Sequence, residues 1–170
     1  KKILNKKNPI LTQSKKVEEF EKKWSKWLGV KYSTFVNSGS SANFISISIL
    51  KALNKNKNKN EIIVPSLTWV SDINSVILNG YKPVFVDINL NNLSMNIDQI
   101  KKKINKKTLA IFITHAQGFN GLNQDLIHMI KKKKYFLLKM FVKAMERSLK
   151  TRNLALMAIY QIFHFITLII

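Results

Sequence analysis

The stretch STFVNSGSSAN, residues 33–43, decides the fold of this chain. Its β-branched and aromatic start predicts a short strand, Asn37 to Gly39 predict a turn, and the apolar residues after them predict a helix. Gly39 permits backbone angles that a larger residue resists. A helix that begins at such a turn has unpaired N–H groups at its positive end, so the main-chain amides and hydroxyls of Ser40 and Ser41 can bind a phosphate. An ordinary helix cap explains the same residues.

Short apolar strands alternate with amphipathic helices along the rest of the chain. Strands are predicted at 34–36, 62–64, 84–86, 109–113 and 135–138, and helices at 17–28, 40–53, 70–79, 96–104 and 122–130. This alternation predicts an α/β fold with a mostly parallel sheet and helices on both faces. Ligands of such sheets bind beyond the carboxyl ends of the strands. We therefore expect the Ser/Gly turn, the segment after Val64, Asp87 and the Thr114–His115 pair near one pocket.

The charge of the chain is strongly positive, with 29 Lys and Arg against 9 Asp and Glu. Such an excess is typical of proteins that bind nucleic acid or anionic membranes. Nearly all of it is lysine, however, with arginine only at Arg147 and Arg152, and the abundance of Lys, Asn and Ile is what an AT-rich genome encodes. We therefore expect no nucleic-acid partner.

Cysteine is absent, and His115, His128 and His164 lie far apart, so we predict no metal site. The first residues lack the apolar core of a signal peptide, which favours a cytoplasmic location.

Five segments in order between Leu11 and Leu138 resemble one protein family. LTQSKKVEEFEKKWSKWLGVKY, VNSGSSAN, EIIVPSLTWVS, NGYKPVFVDI and ITHAQGFNG are similar to the DegT–DnrJ–StrS family of nucleotide-sugar aminotransferases and dehydratases, which depend on pyridoxal 5′-phosphate (PLP). The resemblance implies an incomplete large domain of the aspartate-aminotransferase-like fold (fold type I). It also implies a homodimer that takes a nucleotide-sugar substrate and an amino donor.

The resemblance implies where the cofactor is held. Gly39, Ser40 and Ser41 match the residues that bind the PLP phosphate, and Trp69 matches an aromatic residue that stacks on the pyridine ring. A tryptophan in the core is the alternative for Trp69. His115 matches a family histidine to which we assign no chemical role, and no catalytic residue is predicted in this fragment.

The family pattern is not visible after Leu138. Family members continue with an acidic motif that pairs with the pyridinium nitrogen, and further on they carry the Schiff-base lysine. Codons for Leu138–Glu146 can be chosen that read KDVCESHG from the last base of the Leu138 codon, and the same offset in Leu154–Ile170 permits LGTYGDISNFSFYYAHH. We therefore predict that residues 1–138 are the N-terminal part of the PLP-binding large domain. Residues 139–170 are predicted to be a frameshifted, non-native tail that does not fit the sheet.

The predicted function of the parent protein is amination of a nucleotide-linked 4-keto-6-deoxy sugar, and the fragment is expected to be inactive alone. The His-His end of the restored string resembles the subgroup of sugar 3-dehydratases, which use pyridoxamine 5′-phosphate (PMP) and carry a histidine in place of the lysine. A different class of protein is also open. The apolar segment Leu154–Ile170 follows basic residues and mimics a membrane anchor of a small basic protein. That alternative leaves the five family segments unexplained, so we expect no membrane attachment.

Overall fold

The computed structural model describes residues 5, 7, 8, 10, 12, 14–122, 124–133, 135–141 and 166–169. The helices in this part of the chain are α1 (Lys15–Leu28), α2 (Gly39–Leu53), α3 (Val70–Leu78), α4 (Ile97–Lys103) and α5 (Gln124–Lys133). The strands are β1 (Tyr32–Phe35), β2 (Glu61–Pro65), β3 (Lys82–Val86), β4 (Thr108–His115), β5 (Phe136–Phe141) and β6 (Ile166–Ile169).

The larger sheet has the strand order β3-β2-β4-β5, and every neighbouring pair in it is parallel. β1 and β6 form a separate parallel pair. The carboxyl ends of β2 to β5 therefore lie at the same edge of the larger sheet. The predicted alternation of strands and helices is confirmed, and so is the parallel sheet.

Two apolar clusters cover the two faces of the larger sheet, because successive strand residues point in opposite directions. One cluster joins α2 and α3 to the sheet through Ile47, Leu50, Ile62, Val64, Val76, Ala110, Phe112 and Leu138. The other joins α4 and α5 to it through Ile63, Val86, Ile100, Ile111, Ile113, Leu126, Ile130 and Leu137. The continuous apolar runs of β2 and β4 are thus buried on both sides, as the sequence predicts.

The start of α4 shows how Asn96 connects this helix to β3. The Asn96 side chain accepts hydrogen bonds from the amides of Asp98 and Gln99, at 3.0 and 3.1 Å. A capping box would return the Gln99 side chain to the amide of Asn96. Gln99 Oε1 instead accepts from the amide of Asp87 at 2.8 Å, and the Asn96 amide donates to the Asp87 carbonyl. Asn96 and Gln99 therefore bond to the main chain of Asp87 at the end of β3, and do not form a capping box with each other.

Parts of the predicted non-native tail belong to the sheets. β5 continues past Leu138 to Phe141, with Lys139 opposite Ile113, and Ile166–Ile169 pair with β1. The expectation that no tail residue fits a sheet is wrong for these two segments, since both are hydrogen-bonded to a neighbouring strand. Residues 142–165 and 170 lie outside the described residues, as does most of the predicted anchor, Leu154–Ile170. Within the described part of the chain, no helix has the length and apolar character needed to cross a membrane.

Candidate active site

The first turn of α2 has two main-chain amides available for an anion. The Ser38 side chain accepts from the Ser41 amide at 3.1 Å, and the Ser41 hydroxyl donates to Asn37 Oδ1 at 2.6 Å. The amides of Gly39 and Ser40 donate no hydrogen bond to any residue in the described part of the chain. Ser41 therefore closes the cap, while Gly39 and Ser40 present N–H groups at the positive end of the helix.

A buried carboxylate lies where α2, α3 and β4 meet. Asp72 Oδ2 accepts hydrogen bonds from the hydroxyls of Thr68 and, at 2.9 Å, Thr114. Asp72 Oδ1 accepts from Asn43 Nδ2 at 2.7 Å and, at the longer distance of 3.5 Å, from the Ser71 hydroxyl. The Asp72 residue is only 1% exposed. Burial raises the pKa of its carboxyl group above the ordinary value, although the hydrogen bonds from its four partners act in the opposite direction.

These contacts bring the starts of α2 and α3 together. Asn43 lies one helical turn after Gly39, and its side chain also approaches the Ser71 hydroxyl at 3.4 Å. On the sheet side, Asn43 Nδ2 lies 3.7 Å from Met140 Sδ of β5. The two helices that follow β1 and β2 are therefore joined within their first two turns.

Trp69 immediately precedes α3, and its carbonyl accepts from the Asp72 amide at 3.0 Å. Its side chain is 57% exposed. The alternative that Trp69 is a core tryptophan is therefore wrong. Trp69 is the residue before α3, the helix whose first turn is bonded to α2.

His115 lies at the end of β4 on the opposite face of the sheet from Thr114. It is 1% exposed, and its Nδ1 accepts from the Gly121 amide at 3.0 Å. Burial, and then the positive charge of Lys139 on β5, lower the pKa of His115 to about 4. Burial also lowers the pKa of Lys139 to about 7. Burial therefore favours the neutral forms of both the His115 imidazole and the neighbouring Lys139 amine.

Asp87 anchors the turn that follows β3. Its Oδ1 accepts from the Ile88 amide at 2.8 Å and from the Ser66 hydroxyl at 3.3 Å. The ends of β2 and β3 are thus joined through Ser66 and Asp87, whereas the ends of β2 and β4 are joined through Thr68 and Thr114, whose hydroxyl oxygens are 2.6 Å apart. The strand-end residues form neighbouring groups on two faces, not a single cluster.

The sequence analysis missed Asn43 and Asp72. A signal for both was present, since each lies four residues before a buried apolar residue of its own helix, Ile47 and Val76. A polar residue on the apolar stripe of a helix must find a partner in the interior. When two consecutive helices each carry such a residue, the pattern predicts a bond between the two residues.

Comparison with known proteins gives several relatives. GDP-perosamine synthase from Vibrio cholerae is 32% identical over 109 residues, which cover 64% of this chain and 29% of that protein. GDP-4-keto-6-deoxy-D-mannose 3-dehydratase from Yersinia pseudotuberculosis is 34% identical over 111 residues, covering 64% and 28%. The chain therefore spans less than a third of the length of these curated relatives.

Solved structures of similar proteins share the fold. The Escherichia coli GDP-4-keto-6-deoxy-D-mannose-3-dehydratase with bound hydrated PLP aligns with a TM-score of 0.71 at 30% identity, over 81% of this chain and 36% of that one. Helicobacter pylori PseC, an aminotransferase of pseudaminic acid biosynthesis, gives a TM-score of 0.68 at 28% identity with the same coverage. The fold is that of the large domain of fold type I aminotransferases.

The family match itself extends over nearly the whole chain. It covers residues 2–165 and so passes the predicted boundary at Leu138, for which it provides no support. Because the match takes in far more than half of the sequence, the chain belongs to the DegT/DnrJ/EryC1/StrS aminotransferase family.

Proposed function

We propose that this chain forms the phosphate-binding and ring-binding part of a PLP-dependent aminotransferase that acts on a nucleotide-linked 4-keto-6-deoxy sugar. The observation that carries the proposal is the junction of the α2 and α3 starts. One helix begins with two amides that bond to no described residue, and an exposed tryptophan precedes the other helix. The names of the relatives support the substrate class, since they act on GDP-linked and dTDP-linked sugars.

The residues present fit the cofactor's phosphate and its ring. The amides of Gly39 and Ser40 lie at the positive, N-terminal end of a helix of 15 residues. Such a helix end favours the binding of a dianionic phosphate. The indole of Trp69 offers a flat π surface to a heteroaromatic ring. The cofactor, when bound, supplies the electron sink for the chemistry at the amino-bearing carbon, while these residues bind and orient it.

The alternative within the family is a PMP-dependent sugar 3-dehydratase. Two observations favour it as a second candidate. Dehydratases are prominent among the relatives, including the E. coli structure aligned above. The permitted frameshifted string also ends in His-His where the aminotransferases carry their lysine. A sugar with an amino group added or a hydroxyl removed is the product that distinguishes the two reactions.

The proposal extends to the assembly and the location of the protein. We propose that the full-length parent is a cytoplasmic homodimer and that this chain alone does not turn over substrate. The supporting argument is that the chain covers about a third of its relatives, so most of any complete active site lies elsewhere. Turnover by the purified chain, followed by product chromatography with an amino donor and sugar nucleotide, would contradict this part.

The reading-frame change after Leu138 stays a prediction that rests on the codon argument alone. Reading the DNA from codon 138 through the following few hundred bases decides it. A sequence that encodes KDVCESHG in the offset frame supports the prediction, and codons that exclude this peptide contradict it.

The phosphate site can be tested by removing one amide without disturbing the helix. Gly39 is the first residue of α2, where proline is well tolerated, and Ser38 before it is extended (φ −162°, ψ 160°), as a residue preceding proline prefers. Gly39→Pro deletes the amide, and Gly39→Ala keeps it as the matched control. Since a hydrogen bond to a charged group contributes about 1.5–3 kcal/mol, we expect Gly39→Pro to weaken PLP binding about tenfold or more.

The measurement is equilibrium dialysis of the 170-residue chain against PLP and, separately, inorganic phosphate. The proposal requires that Gly39→Pro weakens both ligands and that Gly39→Ala weakens neither strongly. A wild-type chain that fails to bind PLP, or a Gly39→Pro chain that binds it as well as the wild type, contradicts the proposed site.

A further inference from the structure

We propose that Asp72 is a positioning residue that holds the phosphate-binding amides of α2 and the Trp69 indole at a fixed separation. The inference rests on the proposed function, because it assigns Asp72 a role toward the same ligand. The carboxylate does not touch the ligand in this assignment. It acts through the two elements that do.

The link to α2 runs through a single side chain. Asn43 Nδ2 donates to Asp72 Oδ1 at 2.7 Å, and Asn43 lies four residues after Gly39 in the same helix. A helical turn is rigid on this length scale because its backbone hydrogen bonds are internal. The position of Asp72 is therefore transmitted to the amides of Gly39 and Ser40.

The link to Trp69 runs through its own carbonyl and through the side chain of Thr68, the residue before it. The Asp72 amide donates to the Trp69 carbonyl at 3.0 Å, and the Thr68 hydroxyl donates to Asp72 Oδ2. The indole itself is more than half exposed and so has little packing to hold its main chain in place. The Asp72 main chain thus holds the Trp69 carbonyl, and the Asp72 carboxylate holds the side chain of the preceding Thr68.

The sheet supplies the fixed base for both links. Thr114, near the carboxyl end of β4, donates to Asp72 Oδ2 at 2.9 Å, and its hydroxyl oxygen lies 2.6 Å from that of Thr68. A buried carboxylate held by neutral donors is costly unless every donor keeps its place. The arrangement therefore specifies geometry more strongly than an apolar contact of equal size.

A second bond between the same two helices provides the contrast. Ser48 Oγ donates to Asn79 Oδ1 at 2.8 Å, and Asn79 Nδ2 donates to the Ser75 carbonyl at 2.9 Å. These residues lie in the later turns of α2 and at the end of α3, away from Gly39 and Trp69. Loss of this bond should loosen the helix pair without changing the separation at the starts.

PLP can bind through two groups, its phosphate and its pyridine ring. It gains affinity from both only if the α2 amides and the Trp69 indole are correctly spaced. Inorganic phosphate needs the amides alone, and pyridoxal needs the indole alone. If Asp72 sets the spacing, its loss reduces the extra affinity that PLP gains when its phosphate and its ring bind at the same time. The separate contacts of phosphate with the amides and of the ring with the indole stay intact. Asp72→Asn is the appropriate change, because one carbonyl oxygen cannot replace two carboxylate oxygens that each accept a donor.

The experiment measures the affinities of wild type and Asp72→Asn for PLP, pyridoxal and inorganic phosphate by titration of the full chain. We expect PLP affinity to fall about tenfold, and the affinities for pyridoxal and phosphate to change less than about twofold. Ser48→Ala is the control for a loosened helix pair and should leave the PLP affinity near that of wild type. Thr114→Ser, which keeps a hydroxyl, should bind PLP better than Thr114→Val.

Three results would overturn the positioning role while leaving the proposed function intact. They are an unchanged PLP affinity in Asp72→Asn, an equal loss for all three ligands, and the same PLP loss in Ser48→Ala. A wild-type chain that binds phosphate but not PLP would instead refute the proposed function, and the role of Asp72 with it.

Discussion

The side-chain amide of Asn43 donates to the carboxylate of Asp72 at 2.7 Å, joining two helices that follow different strands. Both side chains are buried, at 7% and 1% exposure. Burial makes a lost partner costly for either side chain. This bond therefore matters for stability as well as for the geometry of the site.

Replacing Asn43 by leucine should destabilise the protein. The change leaves Asp72 Oδ1 with only the long contact from Ser71, and a buried acceptor deprived of its donor costs about 1–3 kcal/mol. Urea denaturation of the two proteins measures the difference in unfolding free energy. Ser71→Ala is the control, because removal of the weaker 3.5 Å contact should cost less. Equal losses of unfolding free energy in the two variants would show that the Asn43–Asp72 bond contributes no more to stability than the Ser71 contact does.

Asp72 should make the stability of the protein pH-dependent. Burial raises its pKa, so between the ordinary value of 3.8 and the higher folded value the folded chain binds more protons than the unfolded chain. The unfolding free energy contributed by this group therefore falls as the pH rises through that window, by up to about 1.4 kcal/mol per pH unit. Asp72→Asn removes the titrating group, so its stability relative to wild type should improve as the pH rises across the window.

Thr114→Val provides a second test of the pH dependence that Asp72 produces. It removes a donor that lowers the Asp72 pKa, so the window should extend to higher pH than in the wild type. Urea unfolding at a series of pH values gives the curves for all three proteins. Curves for wild type and Asp72→Asn that stay parallel would mean that Asp72 does not titrate differently in the folded state.

The sequence predicted the fold well because helices and buried strands have distinct apolar periods. The two core strands β2 and β4 are apolar on both faces, which only a covered parallel sheet allows. The prediction ended β4 at Ile113, however, two residues early. Thr114 and His115 are polar and yet buried, because each has a partner outside the strand: Asp72 of α3 for Thr114, and Gly121 of the following loop for His115. No local pattern contains those partners.

The candidate site also contains residues that the sequence predicted and residues that it did not. The turn at Gly39 and Ser40 was visible because local backbone chemistry produces it, and Trp69 was visible through the resemblance. Asn43 and Asp72 were missed because polar residues on the buried sides of α2 and α3 were interpreted as parts of ordinary helices. What such a residue bonds to depends on how two helices pack, and packing is a property of the whole sheet.

Lys139 should also make stability pH-dependent, in the opposite direction. Burial lowers its pKa from 10.5 to about 7, so between these values the unfolded chain binds more protons than the folded chain. The unfolding free energy contributed by Lys139 therefore rises with pH over that range, again by up to about 1.4 kcal/mol per pH unit. Lys139→Met should flatten the rise, as measured by urea unfolding.

His115 gives a second readout of the same lysine. The charge of Lys139 contributes to the low pKa of His115, after burial, so Lys139→Met should raise that pKa from about 4 without restoring the ordinary 6.5. Imidazole ¹⁵N chemical shifts followed across the acidic pH range measure it. An unchanged pKa would show that burial alone sets the value.

Gly121→Ala should destabilise the loop that covers His115. An added Cβ would lie 3.0 Å from Ile113 Cγ2 and 3.3 Å from the Thr114 carbonyl oxygen. The carbonyl belongs to a central strand and cannot move, so the loop must shift and stretch the 3.0 Å bond from the Gly121 amide to His115 Nδ1. Overpacking of this kind costs about 1–3 kcal/mol, which urea unfolding can measure.

A double-mutant cycle with Ile113→Ala identifies which contact is responsible. Removal of Ile113 Cγ2 eliminates the closest approach, at 3.0 Å, and leaves only the tight contact with the Thr114 carbonyl oxygen. If the isoleucine methyl group causes most of the strain, Gly121→Ala should cost less in the Ile113→Ala background than in the wild type. Additive costs would instead assign the strain to the backbone of β4, and the His115 Nδ1 resonance should then shift equally in both backgrounds.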